Sequence, residues 1–327
     1  MSEPVSPDPT VPRGPDPRLG EGPRHLVAPD GSTFMIRPLV SADARALSAL
    51  CRTLPDAEWA RRFGVVDAPD HRYEAHAVTV AARGGWGLVA LVDSGGRAGR
   101  RLVGEAHYEM LPRGSGELAL VVAPEWRDWL GARLFDAILD VAAARGITGI
   151  EMDVMRSDEW LLALLVARTH VVMPSDDWLT TRLVVATDGG VPAWGPTAGA
   201  RVVVEAPTGR WHAAAAARAA GVDVRVCAGP GDRGAHCPLA DGTPCPLVSG
   251  ADVAVVSYPP EQPDWDDLVD VHCQIHPDVP VLVEGRAGRS VPDGVVALDD
   301  HDPAAVVRRV VDLAAARVAE RRGSAPR

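Results

Sequence analysis

The chain has 327 residues, a formal net charge of −11 and 46% hydrophobic residues, and it contains no lysine. This length is sufficient for two domains, each with its own core. The acidic balance argues against nucleic acid as a partner, because such binding needs a basic face to neutralise phosphates. Every apolar run is shorter than the roughly 20 residues that span a bilayer, and no signal-peptide pattern opens the chain. We therefore expect a cytoplasmic protein with no membrane partner.

The chain begins with a segment that is rich in Pro, Gly, Asp and Arg and poor in large apolar residues. This composition buries too little surface to become ordered, so it predicts a disordered tail over residues 1–30. Alternating apolar residues then predict a first strand at 33–38, and Ser41 is placed to cap a helix that runs to about residue 52. A second helix is predicted over 54–63, where a proline stands in the first turn.

The middle of the chain predicts a strand meander that leads into a helix. Strands are expected at 76–82, 86–93 and 101–109, and a glycine-rich hairpin loop separates the last two. The next strand runs from Glu117 to Val122, and Pro124 ends it. From Gly131 onward, apolar residues recur at helical spacing. The first turn of such a helix directs unpaired N–H groups outward, and these favour a phosphate.

The turn between this strand and this helix resembles the acetyl-CoA loop of the GNAT superfamily of acetyltransferases. That loop reads V-x-P-x-x-[QR]-x-x-G-x-[GA], and Val122, Pro124, Arg127 and Ala132 match it. Leu130 stands where the family has its first glycine, and Gly131 follows one place late. A glycine at that place lets the backbone approach the pyrophosphate, so a leucine side chain is a potential obstruction.

The resemblance implies that acetyl-CoA is a co-substrate and identifies the residues around it. Glu117 matches the glutamate of an Ala-Glu-x-Ala-x-Val pattern in protein-acetylating members, here Gly116-Glu-Leu-Ala-Leu-Val, and is the candidate base that takes the proton of an amine. Asp158 stands where the family usually has an asparagine at a helix start. The candidate cofactor-binding residues are Leu120, Val121, Val122, Arg127, Asp128, Trp129, Leu130, Gly131, Ala132, Arg133 and Asp158.

The resemblance extends over a domain predicted at 31–187, which is expected to be a mixed α+β sheet. A strand at 147–155, a helix at 158–168 and a strand at 178–186 complete it. Residues 188–200 have linker composition. A second domain is predicted over 201–322, with strands at 201–206, 222–227, 252–257, 280–284 and 294–298 and helices at 210–220, 264–276 and 303–321. This alternation predicts a parallel α/β sheet that is covered on both faces.

The second domain resembles response-regulator receivers in the passage Ile275–Gly285, which favours a flavodoxin-like strand order. The chemistry of a receiver is absent from the sequence. Val256 and Ser257 stand where the phosphoacceptor aspartate would end the third strand, Glu205 is all that remains of the acidic pair, and there is no lysine. The resemblance therefore implies a pseudo-receiver that serves regulation or contacts in a homodimer.

Cysteines in the second domain raise the question of a metal. Cys227, Cys237 and Cys245 lie in a Gly- and Pro-rich stretch, with His236 beside one of them. His272, Cys273 or His276 would complete four zinc ligands. The spacing has no Cys-x-x-Cys turn, however, and free cysteines are among the residues most often buried. We therefore predict no metal site here and expect reduced thiols.

Two hypotheses of different class follow from the sequence. The first is an N-acetyltransferase that transfers an acetyl group from acetyl-CoA to an amine of a protein lysine or a small molecule, with a C-terminal regulatory domain. The alternative is a catalytically inactive sensor or interaction protein built from degenerate GNAT and receiver folds. Leu130, Asp158 and the missing receiver chemistry favour the alternative.

Overall fold

The computed structural model describes residues 22–55, 79–93, 99–112, 114–166, 171–173, 179–195, 197, 199–206, 210–229, 237–257, 265–284, 291–298 and 302–323. The described chain forms two compact units. The first ends at Leu164 and includes Ala186–Gly189, and the second holds Leu165–Val185 and the chain from Gly190 onward. No helix of the described residues is long and apolar enough to span a membrane. Most of the helix predicted over 54–63 lies outside the described residues.

The first unit is built on a mixed sheet. Its strands are β1 (Arg24–Val27), β2 (Thr33–Pro38), β3 (Trp86–Asp93), β4 (Arg100–Met110), β5 (Gly116–Val122) and β6 (Gly149–Met155), and its helices are α1 (Ala44–Cys51), α2 (Ala132–Ala144) and α3 (Glu159–Val166). The strands lie in chain order, each antiparallel to the next, except that β5 and β6 are parallel. The predicted α/β class is confirmed for this unit.

Helix α2 packs closely on one face of the sheet because a glycine lies beneath it. Leu134, Phe135 and Ile138 of α2 are almost completely buried. A Cβ placed on Gly104 of β4 would stand 3.2 Å from Cδ2 of Leu134 and 3.4 Å from Cδ2 of Leu130. The missing side chain at Gly104 therefore lets the start of α2 and the turn before it settle against the sheet.

The structure corrects three local predictions. The disordered tail predicted over 1–30 is wrong for Arg24–Val27, which pairs with β2 as an added edge strand. The strand predicted over 76–82 is wrong for residues 80–82, which belong to a 3₁₀ turn at Val80–Arg83 that the N–H of Gly85 closes by donating to the carbonyl of Val80; residues 76–78 lie outside the described residues. Helical structure was expected from Gly131, but it begins at Pro124, because a 3₁₀ turn and a π-helical turn precede α2.

The second unit contains β7 (Val171–Met173), β8 (Thr180–Ala186, all but its last residue), β9 (Arg201–Glu205), β10 (Asp223–Cys227), β11 (Val253–Val256), β12 (Val281–Glu284) and β13 (Val295–Leu298). Its helices are α4 (Ala214–Ala219), α5 (Pro246–Ser249), α6 (Trp265–Ile275) and α7 (Pro303–Gly323). Strands β9 to β13 are mutually parallel in the order β10-β9-β11-β12-β13. This order is compatible with a flavodoxin-like domain, which has the order 2-1-3-4-5.

Both faces of the parallel sheet are covered, as parallel sheets require. On one face, Val202 and Val204 of β9 pack in a core with Val306 and Val310 of α7. On the other face, Val203 packs in a second core with residues of α5 and α6, and Cys227, Cys237 and Cys245 belong to this second core.

Candidate functional site

The main feature of the first unit is a gap between two parallel strands. The pairing of β5 with β6 covers only Gly116 with Ile150 and Glu117 with Glu151. Beyond these pairs the strands diverge, and a cavity of about 360 Å³ lies beside the second half of β5. Its lining residues are Leu54, Leu120, Val121, Val122, Arg127, Ser157, Asp158, Glu159, Trp160 and Leu161.

The turn after β5 gives this cavity an end suited to an anion. Arg127 begins a π-helical turn that ends at Gly131 and continues directly into α2. The amides of a first helical turn have no carbonyl partner inside the helix, and they carry the positive end of the helix dipole. The guanidinium group of Arg127 adds a full positive charge beside them.

Leu130 does not obstruct the described cavity. Its side chain is completely buried, and its Cδ2 atom lies against the position above Gly104. It therefore points into the core between α2 and the sheet and is not among the lining residues. The leucine at the position of the family's first glycine therefore affects core packing and not the wall of the cavity.

Trp160 packs against the last residue of the π-helical turn, Gly131. A Cβ placed on Gly131 would stand only 2.4 Å from Cζ2 of Trp160, so the indole lies directly against the glycine backbone. The guanidinium carbon of Arg127 lies 5.5 Å from the centre of the Trp160 ring, within range of a cation–π contact. Trp160 and Arg127 thus form one wall at the end of the cavity that is suited to an anion.

Asp158 lies in the cavity wall and starts α3. Its Oδ1 atom accepts a hydrogen bond of 3.1 Å from the N–H of Leu161, as an N-cap side chain does. Ser157 and Glu159, on either side, also line the cavity. Sequence reasoning found Asp158 through the family pattern but missed Ser157, Glu159, Trp160 and Leu161; their only signal was proximity to that helix start.

Glu117 belongs to a row of three glutamates on adjacent strands. It lies opposite Glu109 of β4 and opposite Glu151 of β6, so the three side chains share one face of the sheet. Like charges placed directly opposite one another destabilise a sheet. Two polar neighbours are present, since Ser115 donates a 2.9 Å hydrogen bond to Glu151 and Arg83 stands 3.9 Å from Glu109. Glu117 itself is exposed.

The same face of the sheet carries a buried pair that sequence reasoning missed. Nδ1 of His107 lies 2.7 Å from Oε1 of Glu105, and both residues are almost completely buried. His107 lies opposite Ala119, which is two residues from Glu117 along β5. The acidic row therefore continues inward to a histidine that a carboxylate holds in place.

The remaining predicted site residues lie away from the cavity lining. Asp128 and Arg133 are exposed, and Gly131 is buried beneath Trp160. The Trp129 ring centre is 5.1 Å from that of Phe34, and Trp126 packs edge-on against the same ring at 4.8 Å. Both indoles therefore pack against Phe34. Ala132 is half-buried at the start of α2.

Comparisons with known proteins give similar solved structures only. No protein-family model and no curated protein matches the chain. Among solved structures, the GNAT domain of PAT from S. lividans is 18% identical with a TM-score of 0.44, covering 50% of this chain and 96% of that one. A GNAT phosphinothricin acetyltransferase from Sinorhizobium meliloti, in complex with acetyl-CoA, is 18% identical with a TM-score of 0.38, covering 47% and 88%. At such values the similarities establish neither activity nor substrate.

Proposed function

We propose that the chain is an acyl-CoA-dependent N-acetyltransferase whose co-substrate, acetyl-CoA, binds in the cavity between β5 and β6. One observation carries this proposal: the two strands part after Glu117, and the cavity beside β5 ends at Arg127 and the start of a helix. From Glu117 to Val122 an extended strand spans about 17 Å. An elongated thioester lying along β5 would thus place its phosphates at one end and its acyl group toward the other.

The proposed chemistry uses one general base and one group of donors that bind the pyrophosphate. The cationic amine first loses one proton to Glu117, directly or through water. Its neutral nitrogen then attacks the thioester carbonyl carbon and forms the C–N bond, the C–S bond breaks, and the departing thiolate takes the second proton from the nitrogen, so coenzyme A leaves as its thiol. Arg127 and the amides of the helix start bind the pyrophosphate through charge-assisted hydrogen bonds. Leu120 and Val121 supply apolar wall beside the pantetheine arm.

The acceptor that fits best is a cationic amine, from a protein lysine or a small polyamine. The row of Glu109, Glu117 and Glu151 presents three carboxylates on one face of the sheet. A cationic amine bound there would relieve their mutual repulsion, and Glu117 would stand next to the nitrogen that reacts. This arrangement disfavours an anionic acceptor.

We propose that the second unit is a receiver-like regulatory module that is not phosphorylated. Strand β11 ends at Val256, and the N–H of the following Ser257 donates to the carbonyl of Glu205. A hydroxyl that follows the strand does not replace a phosphoacceptor aspartate. The parallel strand order supports the receiver-like assignment.

One observation favours the rival function, an inactive sensor. The Trp160 ring lies against Gly131, where a pyrophosphate would approach the helix start. If that ring stays in place, the cavity would admit a smaller anion but not coenzyme A. The two functions therefore differ in whether the Trp160 ring moves away from Gly131 when acetyl-CoA binds.

The test is an acetyl-transfer assay that measures coenzyme A release from acetyl-CoA in the presence of defined amines. The panel would contain spermidine, a lysine-containing peptide, and the same peptide with its lysine acetylated. We expect release above the amine-free rate with the free amines and none with the blocked peptide. Absence of acetyl-CoA binding would support the sensor, and binding without release for any amine would contradict the transferase.

A further inference from the structure

A second group of chemically reactive side chains lies in the parallel unit, at the carboxyl ends of β9 and β10. Glu205 and Cys227 lie opposite each other in register, so their side chains share one face of the sheet. His272 of α6 covers this face, with its Nε2 atom 3.0 Å from Oε1 of Glu205. Nε2 of His276 accepts a 3.1 Å hydrogen bond from the N–H of Cys245. Ligands of open α/β sheets bind at this edge.

Buried polar atoms at this place have no hydrogen-bond partner. Glu205 is 1% exposed, and its Oε2 atom is unpartnered among the described residues. His272 is completely buried; its Nε2 atom pairs with Oε1 of Glu205 at 3.0 Å, and its Nδ1 atom has no hydrogen-bond partner among the described residues. A buried polar group without a partner destabilises the fold, and more so when it is charged. A bound ion is one explanation of such groups.

Three thiols surround the same carboxylate. Cys245 is buried in the core on this face, and Cys227 and Cys237 pack against that core. Burial raises the pKa of each thiol, and the charge of Glu205 raises it further; for Cys245 the pKa reaches about 11. The group therefore holds one carboxylate, three thiols that stay protonated at neutral pH, and the imidazoles of His272 and His276. A bound cation would lower the pKa of these thiols, because metal coordination deprotonates thiols.

We propose that the second unit binds a zinc-type transition-metal ion through the thiolates of Cys227, Cys237 and Cys245 and the imidazole of His272. Glu205 would either hold the second nitrogen of His272 or replace one ligand. Sulfur with nitrogen is the donor set that selects zinc over magnesium or calcium. On binding, the three thiols release their protons to solvent and His272 binds as the neutral ring.

The site must close around the ion. Among the described residues, no three of these side chains already stand round a common point that could hold a metal. The thiols would therefore turn toward the ion as it enters, and metal binding would be coupled to stabilisation of the unit. Tight binding would show as a rise in melting temperature that depends on metal concentration.

The experiment is a titration of the purified full chain, first treated with a chelator, with Co²⁺ as a spectroscopic substitute for zinc. We expect thiolate-to-cobalt charge-transfer absorption and the d–d bands of a tetrahedral site, both removed when Zn²⁺ is added. Proton release should accompany binding, and the melting temperature should rise. Absence of these bands with no change in melting temperature would overturn the proposal.

Matched variants separate the site from nonspecific thiol binding. Cys227→Ser and Cys245→Ser should each weaken Co²⁺ binding by about tenfold or more. Loss of a group that only supports a metal ligand already costs about 10- to 100-fold in affinity, and here a ligand itself is lost. Cys51→Ser, in the first unit, and the parent chain are the controls and should bind alike. If the first pair bind as tightly as the controls, the proposal is wrong. Proton release by the parent chain remains a readout should a variant not fold.

Discussion

The indole of Trp160 lies in the space that a side chain on Gly131 would need, since a Cβ there would stand 2.4 Å from Cζ2 of the ring. Gly131 has helical dihedral angles, φ −57° and ψ −47°, so alanine would cause no backbone strain. Gly131→Ala should therefore destabilise the first unit by about 1–3 kcal/mol through overpacking alone. Urea unfolding measures this change.

The sign of the effect should reverse when the ring is absent. In a Trp160→Leu background, Gly131→Ala should stabilise the chain by about 0.5–1 kcal/mol, because alanine is the better helix former. Additive effects in the double variant would show that the contact between ring and glycine is energetically unimportant.

Arg127 should carry much of the affinity for acetyl-CoA. Arg127→Ala removes a charge-assisted contact with a phosphate, worth about 1.5–3 kcal/mol, so we expect affinity to fall at least tenfold. Arg133, six residues further on, is exposed and does not line the cavity. Arg133→Ala is the matched control and should change affinity less than about threefold, as screened surface charges do. Equal losses in the two variants would remove Arg127 from its assigned role.

Glu117 should affect turnover and not cofactor binding. Glu117→Gln keeps the shape of the side chain but removes the base, so kcat should fall by a factor of about 10²–10⁴ while the affinity for acetyl-CoA is retained. Glu125→Gln provides the control, because Glu125 is exposed and pairs with Arg101 at 2.9 Å. Full turnover by the Glu117 variant would reassign the proton acceptor, with His107 on the same sheet face as the next candidate.

The ion pair between Arg37 and Asp43 should make the first unit sensitive to acid. Arg37 donates from Nη1 and Nη2 to the two carboxylate oxygens at 2.7 and 2.6 Å, and the N–H of Val40 donates to Oδ2 at 2.9 Å. Burial alone raises the pKa of Asp43, but these hydrogen bonds outweigh it, and the pKa lies below its usual value. The resulting stabilisation is present at neutral pH and is lost as pH falls through the lowered pKa.

Asp43→Asn should therefore cost about 2 kcal/mol at pH 7 and less at an acid pH below the lowered pKa of Asp43, where the parent carboxylate is protonated as well. Hydrogen exchange of the amides in β2 and α1 measures this locally. A deficit that is the same at both pH values would attribute the loss to packing.

In the second unit, Trp211 should stabilise the chain by hydrogen bonding as well as by burial. Its Nε1 atom lies 3.1 Å from each oxygen of Glu284, and both residues are buried. Trp211→Phe leaves that carboxylate without its main donor and should cost about 2 kcal/mol in urea unfolding. Adding Glu284→Leu should recover part of the loss; a further loss instead would show that the hydrogen bond matters little.

The parallel sheet was the part of the fold that the sequence predicted best. The strands predicted at 201–206, 222–227, 252–257, 280–284 and 294–298 agree within about one residue of each end with β9 to β13. Their near-continuous valine runs indicate strands buried on both faces, and glycines and prolines mark the ends. Strand β1 was missed because its surroundings are polar, and its order comes from backbone pairing with β2.

The sequence predicted only part of the candidate site. The family pattern led to Val122, Arg127 and Asp158, all of which line the cavity. The direction of the Leu130 side chain could not be predicted, because a sequence gives the identity of a residue but not where its side chain points, and here it lies above the glycine at position 104. The contact of Trp160 with Gly131 joins two helices and depends on tertiary packing alone. The early separation of β5 and β6 likewise has no local sequence signal.

Calorimetric titration of the full chain with acetyl-CoA tests the central claim most directly. We predict saturable binding with a dissociation constant of about 1 mM or tighter, the range of ordinary enzyme substrates, and a weaker constant for Arg127→Ala. Absence of heat and of any melting-temperature shift at several millimolar acetyl-CoA would contradict the claim that the space between β5 and β6 is a coenzyme A site.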